Sequence, residues 1–442
     1  MSAARPSRSR LRRALLGVAT VVLVAGAAFG ARVLWELHDG RDAARPAAQL
    51  PAPSAELVAQ GAYLARAGNC MACHTARGGA PGAGGLGIPT PFGTVYTTNL
   101  TPDVQAGIGA WSADDFWLAM HEGRSRDGRL LYPAFPYPNL THVSRADSDA
   151  LFAYLRSLPP VAQPARPHEL RFPVNTQLAL AAWRTLYFRP ASFEPDTRQS
   201  AEWNRGAYLV QGLGHCNACH AARNVLGATR NTLDLGGGLI PMQNWYAPAL
   251  NSPQQAGVAE WPQADVVALL QHGVAPQGSV VGPMAEVVLN STQHLRTDDL
   301  NAMATYLRGL PQQPAPAPRR ETAAAGADRL ARGQTLYANH CASCHGEQGQ
   351  GVPGIYPRLA GNRTVTMEPP ANLVRVVLAG GFPPATAGNP RPYGMPPFAT
   401  VLNDDEVATL LSYLRSAWGH QAGPLSTFEI NRYRTGSTGG GY

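Results

Sequence analysis

Six cysteines fall in three matching arrangements: Cys70-Met71-Ala72-Cys73-His74, Cys216-Asn217-Ala218-Cys219-His220 and Cys341-Ala342-Ser343-Cys344-His345. None is left over, and a histidine follows each pair at once. From composition alone such a run is expected roughly 0.002 times in a chain of this length. C-x-x-C-H is the attachment site of a c-type haem. Its two thiols add across the vinyl groups of the porphyrin, and the adjacent imidazole lies under the ring as the proximal iron ligand. A thioredoxin-like redox pair does not need the histidine and does not come in threes. A zinc site would draw two pairs into one domain, whereas these motifs lie 146 and 125 residues apart. Cys70, Cys73, Cys216, Cys219, Cys341 and Cys344 are therefore expected to hold three covalently bound haems c, with His74, His220 and His345 on the iron.

An electron-transfer haem usually has a second axial ligand, and methionine raises its potential. Eight methionines allow the choice to be enumerated. Met395, in Tyr393-Gly394-Met395-Pro396-Pro397, follows His345 by 50 residues on a proline-stiffened loop, and Met367 is the poorer choice. Met284, in Gly282-Pro283-Met284, follows His220 by 64 residues on the equivalent loop. Met242 and Met303 compete with it, but Met303 reads as helix core. The first unit breaks the rule. Its loop reads Tyr132-Pro133-Ala134-Phe135-Pro136-Tyr137, and phenylalanine cannot ligate iron. Met120, His121 and His142 are the alternatives there. Met120 aligns with an apolar helix position and reads as core, and His142 aligns with His294, which its own unit does not need. Haem 1 is expected to have an unusual sixth ligand, or none.

The elements that position these groups repeat. Gly61-Ala62-Tyr63-Leu64, Gly206-Ala207-Tyr208-Leu209 and Gly333-Gln334-Thr335-Leu336 precede the first cysteine of each motif by 9, 10 and 8 residues. Downstream, each unit has an acid-led amphipathic helix with Tyr154-Leu155-Arg156, Tyr306-Leu307-Arg308 or Tyr413-Leu414-Arg415. The last opens Asn403-Asp404-Asp405-Glu406, an N-cap with Glu at N3. The repeated Gly, Tyr and Leu read as helix–helix packing, and the pairs Asp114-Asp115 and Asp298-Asp299 as N-terminal charges that suit the helix dipole. First helix, haem motif, loops and a last helix folding back form the plan of a class I cytochrome c. The expected fold is mainly α, with three tandem units at 55–160, 200–312 and 325–422. An amphipathic aromatic linker at 161–199, with Trp183, Tyr187 and Phe188, would touch a membrane or a partner, or strap units together. A proline-rich linker is expected at 313–324 and a flexible tail at 423–442.

The net charge of +7 invites a nucleic-acid reading, which its position excludes. Five arginines lie in the first 13 residues, no acid occurs before Glu36, and the rest of the chain carries only +2. Ala14–Ala31 is uncharged. An Arg-rich start before an apolar run describes a signal peptide or an N-terminal anchor at 1–31. The small-x-small run Ala25-Gly26-Ala27 favours cleavage.

The chain resembles the tri-haem cytochrome c subunits of bacterial membrane-bound dehydrogenases, those for alcohol, gluconate, sorbitol and aldehyde. The likeness rests on Thr97-Thr98-Asn99-Leu100-Thr101-Pro102-Asp103 with Gly107-Ile108-Gly109. It also rests on Gly282-Pro283-Met284-Ala285-Glu286-Val287-Val288 with Ser291-Thr292-Gln293-His294, and on Gly381-Phe382-Pro383-Pro384-Ala385-Thr386. The resemblance implies a subunit on the periplasmic side of the cytoplasmic membrane. It would take electrons from a catalytic subunit carrying pyrroloquinoline quinone or flavin and pass them to ubiquinone. The Tyr-Pro-Ala-Phe-Pro-Tyr loop is similar to cytochromes that serve molybdenum hydroxylases and some aldehyde dehydrogenases. No dinucleotide-binding loop or nucleophile–base pair stands out, so no organic substrate is expected to react on this chain. The competing readings are a haem enzyme or sensor with an open haem 1, and a free-standing periplasmic carrier.

Overall fold

The computed structural model describes residues 8–39, 52–230, 233–313 and 325–435. The linker expected at 313–324 lies almost wholly outside them. In chain order the long helices are α1 (Arg8–His38), then α2 (Ala55–Ala67), α3 (Ala113–Glu122) and α4 (Arg145–Arg156) in the first unit. Helix α5 (Gln177–Tyr187) lies between units. The second unit has α6 (Ala201–Tyr208), α7 (Gln263–His272), α8 (Pro283–Asn290) and α9 (Thr297–Arg308). The third has α10 (Ala327–His340), α11 (Ala371–Ala379), α12 (Asp404–Leu414) and α13 (Thr427–Thr435).

Each unit closes by packing its first helix on its acid-led downstream helix: α2 on α4, α6 on α9, α10 on α12. The repeated glycine makes the crossing possible. A Cβ on Gly61 would stand 1.9 Å from the Ala150 carbonyl oxygen, one on Gly206 1.9 Å from that of Ala302, and one on Gly333 2.5 Å from the Tyr413 Cβ. Caps fix where the helices start. Ser54 and Ser144 accept the N–H of Leu57 and Asp147, and Asn403 forms the expected reciprocal box with Glu406. The second unit has the longest spacing from its glycine to its first cysteine. A π-helical turn at Leu209–Leu213 takes up that extra length.

The units are not beads on a string. One hydrophobic core runs through units 1 and 2, joining Leu64, Leu151 and Phe152 to Leu209, Leu213 and Leu300. A separate core of Val374, Val407, Leu410 and Leu411 serves unit 3. Units 1 and 2 also exchange reciprocal hydrogen bonds. Tyr63 Oη donates to Asp299 Oδ2 at 2.5 Å, and Tyr208 Oη to Asp147 Oδ2 at 2.5 Å. Tyr63 and Tyr208 occupy the same place in the repeat, and Asp147 and Asp299 are both third residues of their helices. This is an isologous pairing within one chain. Asp299, expected to be a dipole charge only, also holds Arg205 at 2.7 Å. In unit 3 the tyrosine's place is taken by Thr335, whose hydroxyl returns to its own helix at Ala331.

Short strands tie down the loops. Strands β1 (Gly87–Thr90), β2 (Gly93–Tyr96) and β3 (Glu169–Leu170) form an antiparallel sheet in that order, which fastens the linker back onto unit 1. A second ribbon pairs β4 (Gly238–Ile240) with β5 (Trp245–Ala247). The end of the chain corrects one expectation. The stretch expected to trail as a flexible tail contains α13, with Ile430 fully buried and Arg434 bonded to the Leu402 carbonyl at 2.9 Å. Leu425, Phe428, Ile430 and Tyr433, spaced through that stretch, are the overlooked signal.

Candidate haem sites

None of the six cysteines is in a disulfide. Each motif lies on a single helical turn: Cys70–Cys73, Asn217–His220 and Ala342–His345. Each histidine is then oriented by a backbone carbonyl. His74 Nδ1 donates to Thr98 O at 2.7 Å, His220 Nδ1 to Pro248 O at 2.6 Å, and His345 Nδ1 to Pro357 O at 2.9 Å. That bond fixes the tautomer and leaves Nε2 with its lone pair free for a metal. Burial lowers the pKa of all three imidazoles against the opposing effect of these bonds, favouring the neutral form. The donor set fits haem c at each site.

The carbonyls are themselves held. In Thr97–Asp103, buried Asn99 donates to Val161 O at 2.8 Å and accepts from the N–H of Thr101, which presents the Thr98 carbonyl to His74. A left-handed glycine completes each site. Gly84 (φ 73°), Gly237 (φ 79°) and Gly351 (φ 66°) donate their N–H to the carbonyl of His74, His220 and His345 at 2.8, 2.9 and 2.8 Å. A Cβ on Gly84 would lie 2.5 Å from Thr98 C, and one on Gly351 2.7 Å from Pro357 C. Only glycine tolerates both the positive φ and the close approach. The sequence alone does not mark these three positions. Their spacing from the histidine differs in every unit, so no period marks them.

Of the two methionines expected as sixth ligands on loops, Met395 sits on a pinned loop and Met284 in the first turn of a helix. Met395 exchanges backbone hydrogen bonds with Gly381 at 2.8 and 3.0 Å and packs at the edge of the third core. Met284 opens α8 and packs against the shared core. Their competitors are occupied elsewhere. Met303 and Met367 are buried, and Met242 is 54% exposed in a turn.

In unit 1, Phe135 packs against the shared core. Met120 is buried in α3, and the Ser148 hydroxyl reaches its sulfur at 3.9 Å. His121 stacks on Trp117 with ring centroids 4.4 Å apart. His142 interacts with the Ser192 backbone in the linker, and burial lowers the pKa of both histidines.

The sites adjoin one another. Cys73 lies close to Cys219 and Glu286 of the second unit. Asn139 of unit 1 reaches Asn217, inside the second haem motif, at 2.7 Å. Unit 3 meets unit 2 through Asn372, which exchanges two bonds with the Tyr246 backbone at 2.9 and 2.7 Å, and through Thr386 Oγ1 to His272 O at 3.2 Å.

The profile of the cytochrome c family matches residues 58–159 and 330–418. The cytochrome c subunit of a quinone alcohol dehydrogenase from Komagataeibacter europaeus is 37% identical over 403 residues, covering 88% of this chain and 86% of the relative. The cytochrome c subunit of gluconate 2-dehydrogenase from Pantoea cypripedii is 37% identical over 385 residues, covering 83% and 86%. A nicotinate dehydrogenase subunit from Pseudomonas putida is 42% identical over 371 residues, 82% of this chain but only 30% of that protein.

Proposed function

The chain belongs to the cytochrome c subunits of dehydrogenase complexes, and from that premise we propose that it carries three haems c and relays electrons from a catalytic subunit to ubiquinone at the periplasmic face of the membrane. The observation that carries the count is the second site, which lies outside the profile match. Its helical turn, its His220–Pro248 carbonyl bond and its left-handed Gly237 repeat the arrangement of the other two. Bound haem supplies one-electron chemistry between ferrous and ferric iron. The chain's own part is to hold each imidazole in one tautomer, offer Met284 and Met395 as sixth ligands, and keep the sites in series. Unit 2 lies between the other two, with its haem motif against unit 1 and its α7 end against the loop of Met395. The organic substrate, and a quinone, flavin or molybdenum cofactor, belong to the partner dehydrogenase.

The mass of the purified chain should exceed that of the polypeptide by three haems, and Cys216→Ala/Cys219→Ala should remove one. Two adducts in the unaltered chain would refute the count. Electron relay is checked by mixing the reduced holoprotein with ubiquinone vesicles, with and without its co-purifying dehydrogenase. Substrate-driven quinone reduction that persists without this chain would refute the relay. Phe135 favours a second reading for haem 1 alone, with an open or unusual sixth position. Carbon monoxide binding at one haem of three would support it.

A further inference from the structure

Helix α1 is the part of the molecule that the electron-transfer reading leaves unused. Leu15–His38 is apolar, with mean hydropathy 1.9, and its valines and leucines from Leu15 to Val24 are each more than 60% exposed. None of the described residues covers them. The uncharged stretch Ala14–Ala31 reaches the roughly 17–25 residues that span a bilayer and exceeds the roughly 7–15 of a signal peptide's apolar run. The helix runs through Ala25-Gly26-Ala27 without a break.

Its far end is built into unit 1. Val33 is buried with Leu130, Leu180 and Ala181. Glu36 is 4% exposed, and its Oε2 holds Arg124 at 3.1 Å and Arg184 at 3.1 Å, both arginines being buried. Arg124 also donates to the carbonyls of Glu36 and Asp39 at 3.1 and 2.7 Å, closing the helix end. Arg184 belongs to α5, and Arg124 follows α3. Two buried guanidinium groups from different elements thus converge on one carboxylate of the N-terminal helix. These contacts lie beyond the Ala25-Gly26-Ala27 run, so they fix the far end of α1 to unit 1 whether or not the residues before Ala28 are kept.

The surface beside this joint is apolar and unpartnered. On α5, Leu180, Ala181 and Arg184 face inward, whereas Leu178 and Leu186, two turns apart, are 58% and 55% exposed. Phe172 stands just before them at 82%. Trp183 donates to Leu226 O at 2.9 Å, which brings exposed Val225 and Leu226 alongside. On α1 itself the Arg32 guanidinium lies 3.8 Å over the Trp35 ring, the aromatic–basic pairing of a membrane–water interface.

We propose that α1 is retained as a transmembrane anchor, with the Glu36–Arg124–Arg184 cluster as its rigid coupling. The face formed by Phe172, Leu178, Leu186, Val225 and Leu226 then rests on the lipid surface. The occupant is the bilayer because the face adjoins the point where a bilayer-length helix enters the protein. Arg8, Arg10, Arg12 and Arg13 keep the other end inside. Units 1 and 2 are thereby held at the membrane, and unit 3 stands off it. The inference rests on the export reading above, and protease accessibility in spheroplasts reports export whether or not the leader is kept.

The test uses the full-length, haem-loaded chain. Its intact mass should retain residues before Ala28, and the protein should leave membranes with detergent but not with alkaline carbonate. A mature chain starting at Ala28 overturns the anchor. In vesicles of phosphatidylethanolamine and phosphatidylglycerol containing a photoactivatable phospholipid, label should concentrate on 172–187 and 225–226. It should spare Phe382 and Val401, which are equally exposed on unit 3. Leu178→Glu and Leu186→Glu, both at exposed positions, should lose labelling on α5 while keeping three haems. Label spread evenly over the two regions overturns the lipid-facing surface.

Discussion

Units 1 and 2 share one core and trade tyrosine–aspartate bonds across their boundary, whereas unit 3 has its own core and touches unit 2 through backbone-directed side chains. All three follow one plan, so the difference lies in a few positions. Where units 1 and 2 carry Tyr63 and Tyr208, unit 3 has Thr335. Where they carry Asp147 and Asp299, unit 3 has Glu406, which is occupied in capping its own helix. Losing a phenol that reaches across, and turning its acceptor inward, frees a unit from the pair. The paired units form a rigid two-site block, and the third is an attachable module.

The strongest way to break the block is at its helix crossings. Gly206→Ala sets a Cβ 1.9 Å from a backbone oxygen of α9, and neither helix backbone can yield cheaply. A loss of about 3 kcal/mol is expected, the top of the usual range for overpacking. Because the core is continuous, units 1 and 2 should melt together at a lower temperature while unit 3 melts as before. Gly333→Ala should cost about 1–2 kcal/mol and lower unit 3 only, its nearest contact being a Tyr413 side-chain atom at 2.5 Å. Following each haem's absorbance during a thermal scan checks both. Independent melting of units 1 and 2 would contradict a shared core.

The reciprocal bonds are the next largest lever. Asp299→Ala strips Arg205 and Tyr63 of their acceptor and should cost about 2 kcal/mol, whereas Asp147→Ala should cost about 1 kcal/mol. Burial pushes the Asp299 carboxyl up, but Arg205 and Tyr63 outweigh it and hold the carboxyl below its ordinary 3.8. A depressed folded-state pKa contributes stability above the unfolded value and loses it as pH falls through the folded one. Acid titration of the paired block should therefore show a loss below about pH 4 that Asp299→Asn abolishes. Burial and the Asp147 bond push Tyr208 the other way, up to about 12. Its contribution is present below the unfolded value of 10 and disappears as pH rises through the folded one.

The candidate haem motifs were legible because the C-x-x-C-H pattern fixes residue type and spacing, and Cys70 to His345 announce themselves. The packing glycines were legible for the same reason, since the crossing of two helices tolerates nothing larger at Gly61 or Gly206. The pairing of units was present as Tyr63, Tyr208 and Thr335 but read as packing alone, because a phenol's partner 236 residues away leaves no local pattern. Arg415 closes a repeated Tyr-Leu-Arg run yet alone of the three arginines is fully buried, bonded to the carbonyls of Val365, Met367 and Gly423. Its equivalents Arg156 and Arg308 are only half-buried, a difference that the repeat conceals.

Within the block, unit 1 has Phe135 at the loop position where unit 2 has Met284. Phe135→Met places in unit 1 the residue type of the proposed ligands Met284 and Met395. A thioether-to-iron charge-transfer band should grow by about half over that of the parent, and one reduction potential should rise, since methionine favours ferrous iron. Met120→Leu should leave all three haem spectra unchanged, because the Met120 sulfur is engaged with Ser148 in the core. Loss of a haem 1 signal in Met120→Leu would reassign that ligand.

The smallest effect should come from the joint to unit 3. Asn372 spans it with a donor and an acceptor on one side chain, and both partners are backbone atoms of Tyr246. Asn372→Ala removes two hydrogen bonds worth about 1 kcal/mol each and leaves no charge stranded. Neither core is touched, so both melting transitions should stay within the error of the parent. What should change is the population of the docked arrangement. Arg363 to the Gly257 carbonyl, Thr386 to the His272 carbonyl and Arg375 over the Trp245 ring remain to hold it. Small-angle scattering should therefore show a modest rise in radius of gyration, larger in Asn372→Ala/Arg363→Ala. Haem-specific spectra should not move, and electron exchange between the second and third haems should slow. A coupled fall in the thermal stability of all three units would mean that unit 3 is part of the block after all.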